Sequence, residues 1–361
     1  MKICAKLSAD RFAFYREMLY NYIIGEFAVL IGSSAGYAKK QSKENVYMIY
    51  SLSVVRESRL FQLLMFLTAF IGTFLLIKKF MRILPKDQGR EFAVNGKLSE
   101  GKPRGAGIIM MSAYVLFTAV FVPYDIETLI NTILIYAAML TGFLDDAAEK
   151  PWGELKKGLL DLVITVGVTA NFMYHHNTVI TMAGREFHMP APVFAVLSMI
   201  LVWASINVTN CCDGIDGLCG MMSSSTIVLF IIHGLSTVMR FQAEVMLMVL
   251  FAYLWFNCSP SRILMGDAGS RAIGVFLAIL SLQSGDPFLF IFFAVMIIID
   301  GGLGLLKLSV RRFLRVKNFM DKVRTPIHDH WRKNLGVGDN QVVIRFTIIQ
   351  TVIGLAAMYF I

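Results

Sequence analysis

Acidic side chains occur in three short clusters, each beside a long apolar stretch of this 361-residue chain. They are Asp145-Asp146, the segment Asn207-Val-Thr-Asn210-Cys-Cys-Asp213-Gly-Ile-Asp216-Gly, and Gly266-Asp267-Ala-Gly-Ser270. Ionisable groups at the ends of apolar spans are costly and are seldom kept there without a function. Because carboxylate-rich sites favour Mg²⁺ or Mn²⁺, the three clusters predict one shared polar site that binds a divalent metal.

The geometry expected of the aspartates follows from their places on helices. Asp267 comes just before an apolar stretch, so it is expected at a helix N-terminus, which suits a phosphate together with its counter-cation. Adjacent helical residues point about 100° apart, so one of Asp145 and Asp146 is expected to face the ligand while the other is held by neighbouring groups. The alternative is a polar helix terminus at the membrane interface.

The middle cluster combines glycines with amides. Glycine permits a tight backbone path, and Asn207 and Asn210 are able to donate hydrogen bonds to a base or a sugar. The alternative is a kinked helix entry in which Asp213 or Asp216 caps the following span.

The segment His328-Asp329-His330 lies near several basic residues and is interpreted as a donor of hydrogen bonds to phosphate. A zinc site formed with Cys211 and Cys212 is disfavoured, because the spacing matches no common zinc pattern. The cysteines are interpreted as small packing residues. Carboxylates, a divalent metal and basic side chains around a phosphate ester together predict phosphoryl transfer.

The composition identifies the elements that must position these residues. The chain is 56% hydrophobic and only 16% charged, which is too little charge for a soluble domain of this length. Apolar stretches approach the roughly 20 residues that a spanning helix needs. The net charge of +9 lies in the loops between spans, where membrane orientation explains it without nucleic acid. The predicted fold class is therefore an all-α, polytopic integral membrane protein.

Ten transmembrane helices are predicted. Their ranges are 60–80, 106–123, 128–144, 159–174, 190–206, 217–234, 243–257, 271–284, 288–307 and 342–360. One set of loops holds most of the lysines and arginines, whereas the opposite set holds only Arg185 and Arg240. The basic set is predicted to be cytoplasmic, which puts all three acidic clusters and the catalytic loops on the cytoplasmic face and both ends of the ten-span region outside.

Three further segments receive more limited predictions. Residues 1–59 are interpreted as an N-terminal extension before the domain at 60–361, with 18–38 as either an interfacial helix or an extra span. A short external hairpin is expected within 175–189. Basic residues recur at helical spacing from Lys307 to Arg315, which favours a helix facing lipid headgroups, and a substrate-phosphate role is the alternative.

Taken together and in order, these motifs resemble those of the polyprenyl-phosphate N-acetylhexosamine-1-phosphate transferase superfamily, and most closely its muramoyl-pentapeptide branch. The motifs are Leu144-Asp145-Asp146, Asn207-x-x-Asn210-x-x-Asp213-Gly-Ile-Asp216-Gly, Met265-Gly266-Asp267-Ala-Gly-Ser270 and Pro326-Ile-His328-Asp-His330. The Gly101–Gly107 loop also lies where that superfamily has a Gly/Thr/Pro-rich segment.

The resemblance implies an Mg²⁺-dependent enzyme of the bacterial inner membrane that acts in peptidoglycan synthesis. Undecaprenyl phosphate would attack UDP-N-acetylmuramoyl-pentapeptide, releasing UMP and forming the first lipid intermediate. By position, Asp267 would be the metal ligand, and Asp145 or Asp146 would receive or orient the lipid phosphate. It further implies binding of uridine-type nucleoside inhibitors and a homodimer.

The remaining roles implied by the resemblance concern the donor substrate. Asn210 and Asp213 would lie in the nucleotide pocket, with Asn207 and Asp216 in support, and His328 and His330 would bind the phosphate or sugar side. Lys97 or Lys102 would stand in for a loop lysine of the superfamily.

This chain also departs from the branch. Asp329 replaces the middle of three histidines, Leu264 replaces a residue that is often aromatic, and Cys211-Cys212 replaces a Leu-Thr-like pair. A transferase that uses UDP-N-acetylglucosamine is therefore the main alternative. A transporter and a scaffold protein are the alternatives outside enzymes, but transporters hold ionisable groups at the bilayer midplane.

Overall fold

The computed structural model describes residues 58–87, 89, 99–148, 150, 152–182 and 185–359. The chain is divided into two compact units, residues 1–62 and residues 63–361. The prediction for 18–38, most of the extension at 1–59 and Lys97 lie outside the described residues.

Helices make up most of the described chain. They are α1 (Arg59–Phe80), α2 (Gly107–Phe121), α3 (Ile126–Asp146), α4 (Glu154–His175), α5 (Ala191–Cys211), α6 (Leu218–His233), α7 (Thr237–Asn257), α8 (Gly266–Gln283), α9 (Leu289–Phe293), α10 (Val295–Phe313), α11 (Ile327–Lys333) and α12 (Asp339–Ala357). A short 3₁₀ helix, Met81–Ile83, follows α1.

A helix lies at each of the ten stretches predicted to span a membrane, which fits a polytopic membrane protein. Among the described residues, five helical segments are long and apolar enough to cross a bilayer. They are Arg59–Ile83, Ile126–Asp146, Ala191–Cys211, Thr237–Asn257 and Asp339–Ala357. Helices α2 and α6 are apolar but shorter. A total of ten spans, and their orientation, stay predictions.

The ninth predicted span, 288–307, differs in the structure. It is divided at Ala294 into α9 and α10, because Ala294 leaves helical geometry (φ −115°, ψ 22°). Helix α10 then continues beyond the predicted end, to Phe313.

The predicted hairpin is confirmed. Strands β1 (Val179–Met182) and β2 (Arg185–His188) pair in antiparallel register, with Val179 opposite His188. The backbone N–H of Thr181 donates to the carbonyl of Gly285, 3.0 Å away, so the hairpin is fastened to the turn that follows α8.

Helix α8 lies at the centre of the packing and contacts α3 and α5 most extensively. Every residue of α8 is buried except Asp267 and Gln283, near its two ends. The approach is close because a Cβ on Gly107 or Gly142 would collide with the α8 backbone, and one on Gly274 would collide with the α5 backbone. Small residues at helix crossings permit such contact in membrane proteins. Because other helices enclose α8, it is able to carry polar side chains.

Candidate active site

Asp145, Asp146 and Asp267 meet at one end of the helices, as the sequence predicts for a shared site. Asp145 and Asp146 end α3, and Asp267 lies in the first turn of α8. Gly142, one turn before the pair, lies directly against the main chain of Asp267 and Ala268. A larger residue at 142 would push the two helix ends apart, so this glycine positions the three carboxylates.

Arg104 lies between the carboxylates. Its guanidinium is 2.9 Å from Asp146 Oδ1, 3.0 Å from Asp87 Oδ1 and 3.7 Å from Asp267 Oδ1. Burial acts to lower the pKa of Arg104, but these three carboxylates outweigh it and raise the pKa above its ordinary value. The side chain is therefore a permanent cation inside an acidic cluster.

Two backbone contacts fix the position of the main chain at Arg104. Its N–H donates to the carbonyl of Pro85 (2.8 Å), and the residue forms a parallel β-bridge with Leu264, just before α8. The segment 103–107 is thus attached to the entrance of α8. The side chain of Arg104 therefore extends from a fixed main-chain position close to Asp267.

Lys157, in the first turns of α4, is the second cation. Its ammonium group forms an ion pair with Asp145 and lies 3.5 Å from Asp267 Oδ2. Asp145 also accepts a hydrogen bond of 2.7 Å from the backbone N–H of Trp152, and Asp146 accepts one of 3.2 Å from that of Ala268. The paired aspartates thus face different partners, and each contacts one cation and one backbone N–H.

The charges of this cluster do not balance. Four carboxylates, those of Asp87, Asp145, Asp146 and Asp267, surround two cations, Arg104 and Lys157. The neighbouring Asp161–Arg271 pair is different, because one buried carboxylate meets one buried guanidinium. We call Asp87, Asp145, Asp146, Asp267, Arg104 and Lys157 the acidic cluster.

The surplus of carboxylate bears on whether the cluster suits a divalent cation. Within the described residues, no three or more His, Cys, Asp or Glu side chains are grouped to hold a metal. Mg²⁺, however, is usually bound through one or two carboxylates, with water and substrate phosphates completing its coordination. Asp267 meets this requirement, because its ion pairs are long and its side chain is 16% exposed. The donor chemistry therefore fits Mg²⁺ bound together with a phosphate ligand.

The second acidic motif lies beside the acidic cluster. Asp216 accepts a hydrogen bond of 2.9 Å from the backbone N–H of Ser261 and lies 3.7 Å from the ammonium of Lys102. Lys102 also donates to Ser261 Oγ at 2.9 Å. Asp216 does not cap α6, because the N-cap is Gly217, and no side-chain cap hydrogen bond forms there. The capping alternative therefore does not describe Asp216.

The two asparagines differ in what they contact. Asn210 donates to Ser270 Oγ at 2.9 Å and so connects the end of α5 to the first turn of α8, one turn from Asp267. Asn207 donates to the carbonyl of Trp203 in its own helix. Asn210 is thus joined directly to the helix that carries Asp267, whereas the hydrogen bond of Asn207 stays within α5.

His328 is held by an aspartate within α10. Its backbone N–H and its Nδ1 each lie 2.7 Å from an oxygen of Asp300, and both side chains are buried. An Nδ1–H bond to Asp300 leaves Nε2 on the opposite edge of the ring, where a Cβ on Gly214 would collide with it. Nε2 therefore faces the 213–217 loop.

His330 makes a different contact. Its Nδ1 accepts a hydrogen bond of 3.3 Å from the backbone N–H of Arg324, and Asp329 lies 3.4 Å from Arg332. Of the two predicted histidines, His328 is the one whose ring lies against the 213–217 loop.

The 213–217 loop brings the motifs together. It follows Asn210, which bonds to α8, and its Asp216 bonds to the loop before α8. Its Gly214 lies against His328. Asn210 and Asp216 thus connect this loop to α8 and to the segment before it, and His328 is brought close to the loop from a distant part of the sequence.

The adjacent cysteines have a packing role, as predicted. Cys212 is fully buried and donates a weak hydrogen bond from Sγ to the carbonyl of Ile297, 3.4 Å away. Burial raises the pKa of the Cys212 thiol well above its ordinary value, so it is not a thiolate at neutral pH. A Cβ on Gly301 would collide with the Val208 carbonyl and approach Cys211 Cβ. Small side chains here permit α5 and α10 to cross closely.

Four residues of this region were not singled out in the sequence, namely Arg104, Lys157, Asp300 and Asp87, which lies in the loop after α1. Arg104 and Lys157 lie in segments predicted as basic loops, where membrane orientation already accounts for lysine and arginine. Asp300 had a usable signal, because a carboxylate inside an apolar span is rarely without a partner or a function.

Comparison with known proteins gives a consistent result. The profile of glycosyl transferase family 4 matches residues 128–285, a range that contains all three acidic motifs. A protein of Treponema pallidum (strain Nichols) named phospho-N-acetylmuramoyl-pentapeptide-transferase is 37% identical over 81% of this chain and 87% of its own length.

More distant relatives have the same name. One from Dictyoglomus turgidum is 29% identical over 77% of this chain and 92% of its own length. One from Helicobacter hepaticus is 27% identical over 72% of this chain and 82% of its own length.

Proposed function

The chain belongs to the phospho-N-acetylmuramoyl-pentapeptide-transferase family, and we propose that its acidic cluster is the centre of that reaction. The enzyme transfers phospho-N-acetylmuramoyl-pentapeptide from its UDP conjugate to a polyprenyl phosphate, here undecaprenyl phosphate. This step forms the first lipid intermediate of peptidoglycan synthesis. The observation that carries the site assignment is the meeting of Asp145, Asp146 and Asp267 around Arg104 and Lys157.

The bond changes explain why the chemistry needs little proton transfer. An oxygen of the lipid phosphate attacks the β-phosphorus of the UDP-sugar, and the bond from that phosphorus to the bridging oxygen breaks. UMP departs with the bridging oxygen and its electron pair. Because the second pKa of a phosphate monoester is about 6, the attacking oxygen is already largely ionised near neutral pH. Direct attack without an aspartyl intermediate is the proposed course.

Asp267 is proposed to hold Mg²⁺, which when bound would neutralise the diphosphate and the departing UMP. Support comes from the partial exposure of this carboxylate and from its place in the first turn of α8. The positive end of the α8 dipole also favours a phosphate beside this position.

Lys157 and Asp145 are proposed to serve the lipid phosphate. The Lys157 side chain is 29% exposed and lies between Asp145 and Asp267. It is thus able to turn one N–H towards an incoming anion while Asp145 keeps it in place. Asp146, bonded to Arg104 and to the Ala268 N–H, fixes the entrance of α8 against α3.

The nucleotide is proposed to bind along the 213–217 loop. Asn210 and Asp213 offer hydrogen-bonding groups to base and ribose, and Asp216 with Lys102 forms the adjoining wall. His328 would reach the phosphate or sugar side through Nε2, with its ring set by Asp300. Roles for Asn207 and His330 in support rest on the sequence motifs.

The face of the protein that carries the acidic cluster is proposed to lie on the cytoplasmic side of the inner membrane. What supports this is charge, since the loops on that side carry most of the basic residues and the opposite loops carry only Arg185 and Arg240. The positive-inside rule assigns such loops to the cytoplasm. The same orientation gives the site access to a UDP-linked substrate.

One assay tests the function. The protein, purified in detergent, is supplied with Mg²⁺, undecaprenyl phosphate and UDP-N-acetylmuramoyl-pentapeptide, and UMP release is followed. Release that depends on both substrates is the expected result. UDP-N-acetylglucosamine is tested in parallel as the alternative donor. If UMP were released with UDP-N-acetylglucosamine but not with UDP-N-acetylmuramoyl-pentapeptide, the enzyme would be assigned to the N-acetylglucosamine branch. No UMP with any donor would overturn the proposal.

A binding measurement tests the nucleotide pocket separately. A nucleoside inhibitor that mimics the UDP-sugar is expected to raise the melting temperature through binding to the folded state alone. Asp213→Asn should reduce that shift, and Asp339→Asn, at the start of α12, serves as a control. No stabilisation of the wild-type protein at saturating inhibitor would argue against a uridine pocket.

A further inference from the structure

Arg104 has a place in the acidic cluster that neither the motifs nor the similar proteins assign. It contacts Asp87, Asp146 and Asp267 at once, at 3.0, 2.9 and 3.7 Å. Its side chain is 18% exposed, so little solvent screens these contacts. One guanidinium thus supplies positive charge to three acidic residues from three different parts of the chain.

The backbone around Arg104 holds this charge in position. The residue is bonded to Pro85 on one side, and its neighbour Pro103 accepts from Leu264 on the other, at 2.8 Å in both cases. Gly107, three residues later, lies directly against Gly269 of α8. These contacts fix the main chain of Arg104 beside the entrance of α8, which keeps its guanidinium within reach of Asp267.

A fixed cation beside Asp267 has a predictable electrostatic effect. It repels any other cation that approaches the same carboxylate, and the repulsion is strong where solvent is limited. A bound diphosphate adds negative charge and offsets that repulsion. The geometry therefore points to Arg104 as a positioning residue that keeps divalent-metal affinity low until the nucleotide diphosphate is present, so that metal and UDP-sugar bind cooperatively.

This inference rests on the proposed function, because it takes Asp267 as the metal ligand. Cooperative binding is reciprocal: if a diphosphate tightens metal binding by some factor, the metal tightens diphosphate binding by the same factor. In this arrangement Arg104 would set the size of that factor. It would do so without contacting the metal.

The test measures binding of Mn²⁺ to the full-length protein in detergent, with UDP absent or present, by the electron paramagnetic resonance of free Mn²⁺. In the wild-type protein, UDP is expected to tighten Mn²⁺ binding by about tenfold or more. In Arg104→Gln, Mn²⁺ should bind about tenfold more tightly without UDP, and UDP should add little.

Two variants separate charge from folding. Arg104→Lys keeps the charge but loses the planar fork, so it should resemble the wild-type protein in Mn²⁺ affinity. Arg240→Gln removes a positive charge paired with Glu244 in the first turn of α7, far from that helix's site end, and should leave Mn²⁺ binding unchanged. Melting temperatures identify any variant that does not fold.

The outcomes separate the two hypotheses. If Mn²⁺ binding were lost in Asp267→Asn but Mn²⁺ affinity were unaltered in both Arg104 variants, the role of Arg104 would be overturned and the proposed function would stand. If wild-type Mn²⁺ binding did not depend on Asp267, the metal role in the proposed function would fail, and this inference with it. An affinity that rises equally in Arg104→Gln and Arg104→Lys would exclude charge as the cause and overturn the inference.

Discussion

Two polar networks lie at opposite ends of the helices, and they differ in how charge is compensated. At the site end, four carboxylates surround Arg104 and Lys157. At the other end, the carboxylate of Glu127 contacts His176 (2.8 Å) and Gln283. There, Asn171 donates to the Glu127 carbonyl at 3.2 Å and to Asn131 at 2.8 Å. The site-end network holds two more carboxylates than cations, whereas in the other network one carboxylate is bonded to His176 and Gln283, and one amide oxygen, that of Asn171, has no donor.

The difference indicates which network binds ligands. Buried polar groups that satisfy one another rigidify a structure and gain little from a further ligand. Surplus carboxylate is costly unless a cation arrives to compensate it. Burial alone would not separate the two networks, because both combine buried and partly exposed groups. What separates them is the balance of charge.

The largest effect expected from this comparison is loss of turnover at the site end. Asp267→Asn should reduce UMP release by roughly 10²- to 10³-fold or more, because it removes the carboxylate assigned to the metal. Glu127→Gln, the same change at the other end, should leave turnover within about twofold. Equal losses in the two variants would break the distinction between the networks.

Lys157 gives the next largest effect. Lys157→Met should lower turnover by about 10²-fold, since it removes the cation shared by Asp145 and Asp267. Lys157→Arg should recover part of it. If methionine retained full turnover while the protein stayed folded, the lipid phosphate would have to be received elsewhere.

Asp300 is expected to act through His328, so its effect should be smaller and of a different kind. Asp300→Asn should raise KM for the UDP-sugar by about tenfold with a smaller change in kcat, because it loosens the ring that faces Gly214. The measurement is a steady-state titration of donor at saturating lipid. An unchanged KM with a lowered melting temperature would make Asp300 purely structural.

The smallest expected effect is a pH dependence of stability that arises from His176, at the end of the helices opposite the site. The hydrogen bond to Glu127 raises the pKa of His176, so the folded protein holds this proton more tightly than the unfolded chain. That stabilisation is complete below the ordinary histidine pKa of about 6.5 and is lost as pH rises through the raised value. Because His176 is partly exposed, it amounts to less than about 1 kcal/mol.

Thermal unfolding in detergent between pH 6 and pH 8 checks this prediction. The melting temperature should fall slightly across that range, and the fall should disappear in Glu127→Gln. The same slope in both proteins would assign the pH dependence to other groups.

The sequence predicted the carboxylates of the site better than their partners. Asp145, Asp146 and Asp267 could be placed together because each ends or begins an apolar stretch on the same side, and helices that alternate in direction must bring such ends to one face. Arg104 and Lys157 could not be distinguished from other basic loop residues. Their importance depends on which carboxylates they meet, which is a property of the tertiary packing.

In the fold, too, some features were predictable from the sequence and others depend on tertiary packing. Apolar stretches predicted where helices occur, but nothing in 288–307 predicted the break at Ala294, after which the chain changes packing partners: α9 lies mainly against α12, and α10 mainly against α5. The Cys211-Cys212 pair departs from the family pattern, and the structure packs both residues against α10, with Cys211 near Gly301 and Cys212 buried against the carbonyl of Ile297. Contacts between distant segments decide both features.

The enclosed position of α8 has a consequence for how the enzyme responds to its membrane. Asp267 and Gln283 are the only partly exposed residues of that helix, and they lie about 24 Å apart along its axis. The glycine contacts leave α8 no room to slide or tilt on its own. Changes in acyl-chain length should therefore strain the surrounding helices first, and Asp267, the proposed metal ligand, should be insulated from bilayer thickness.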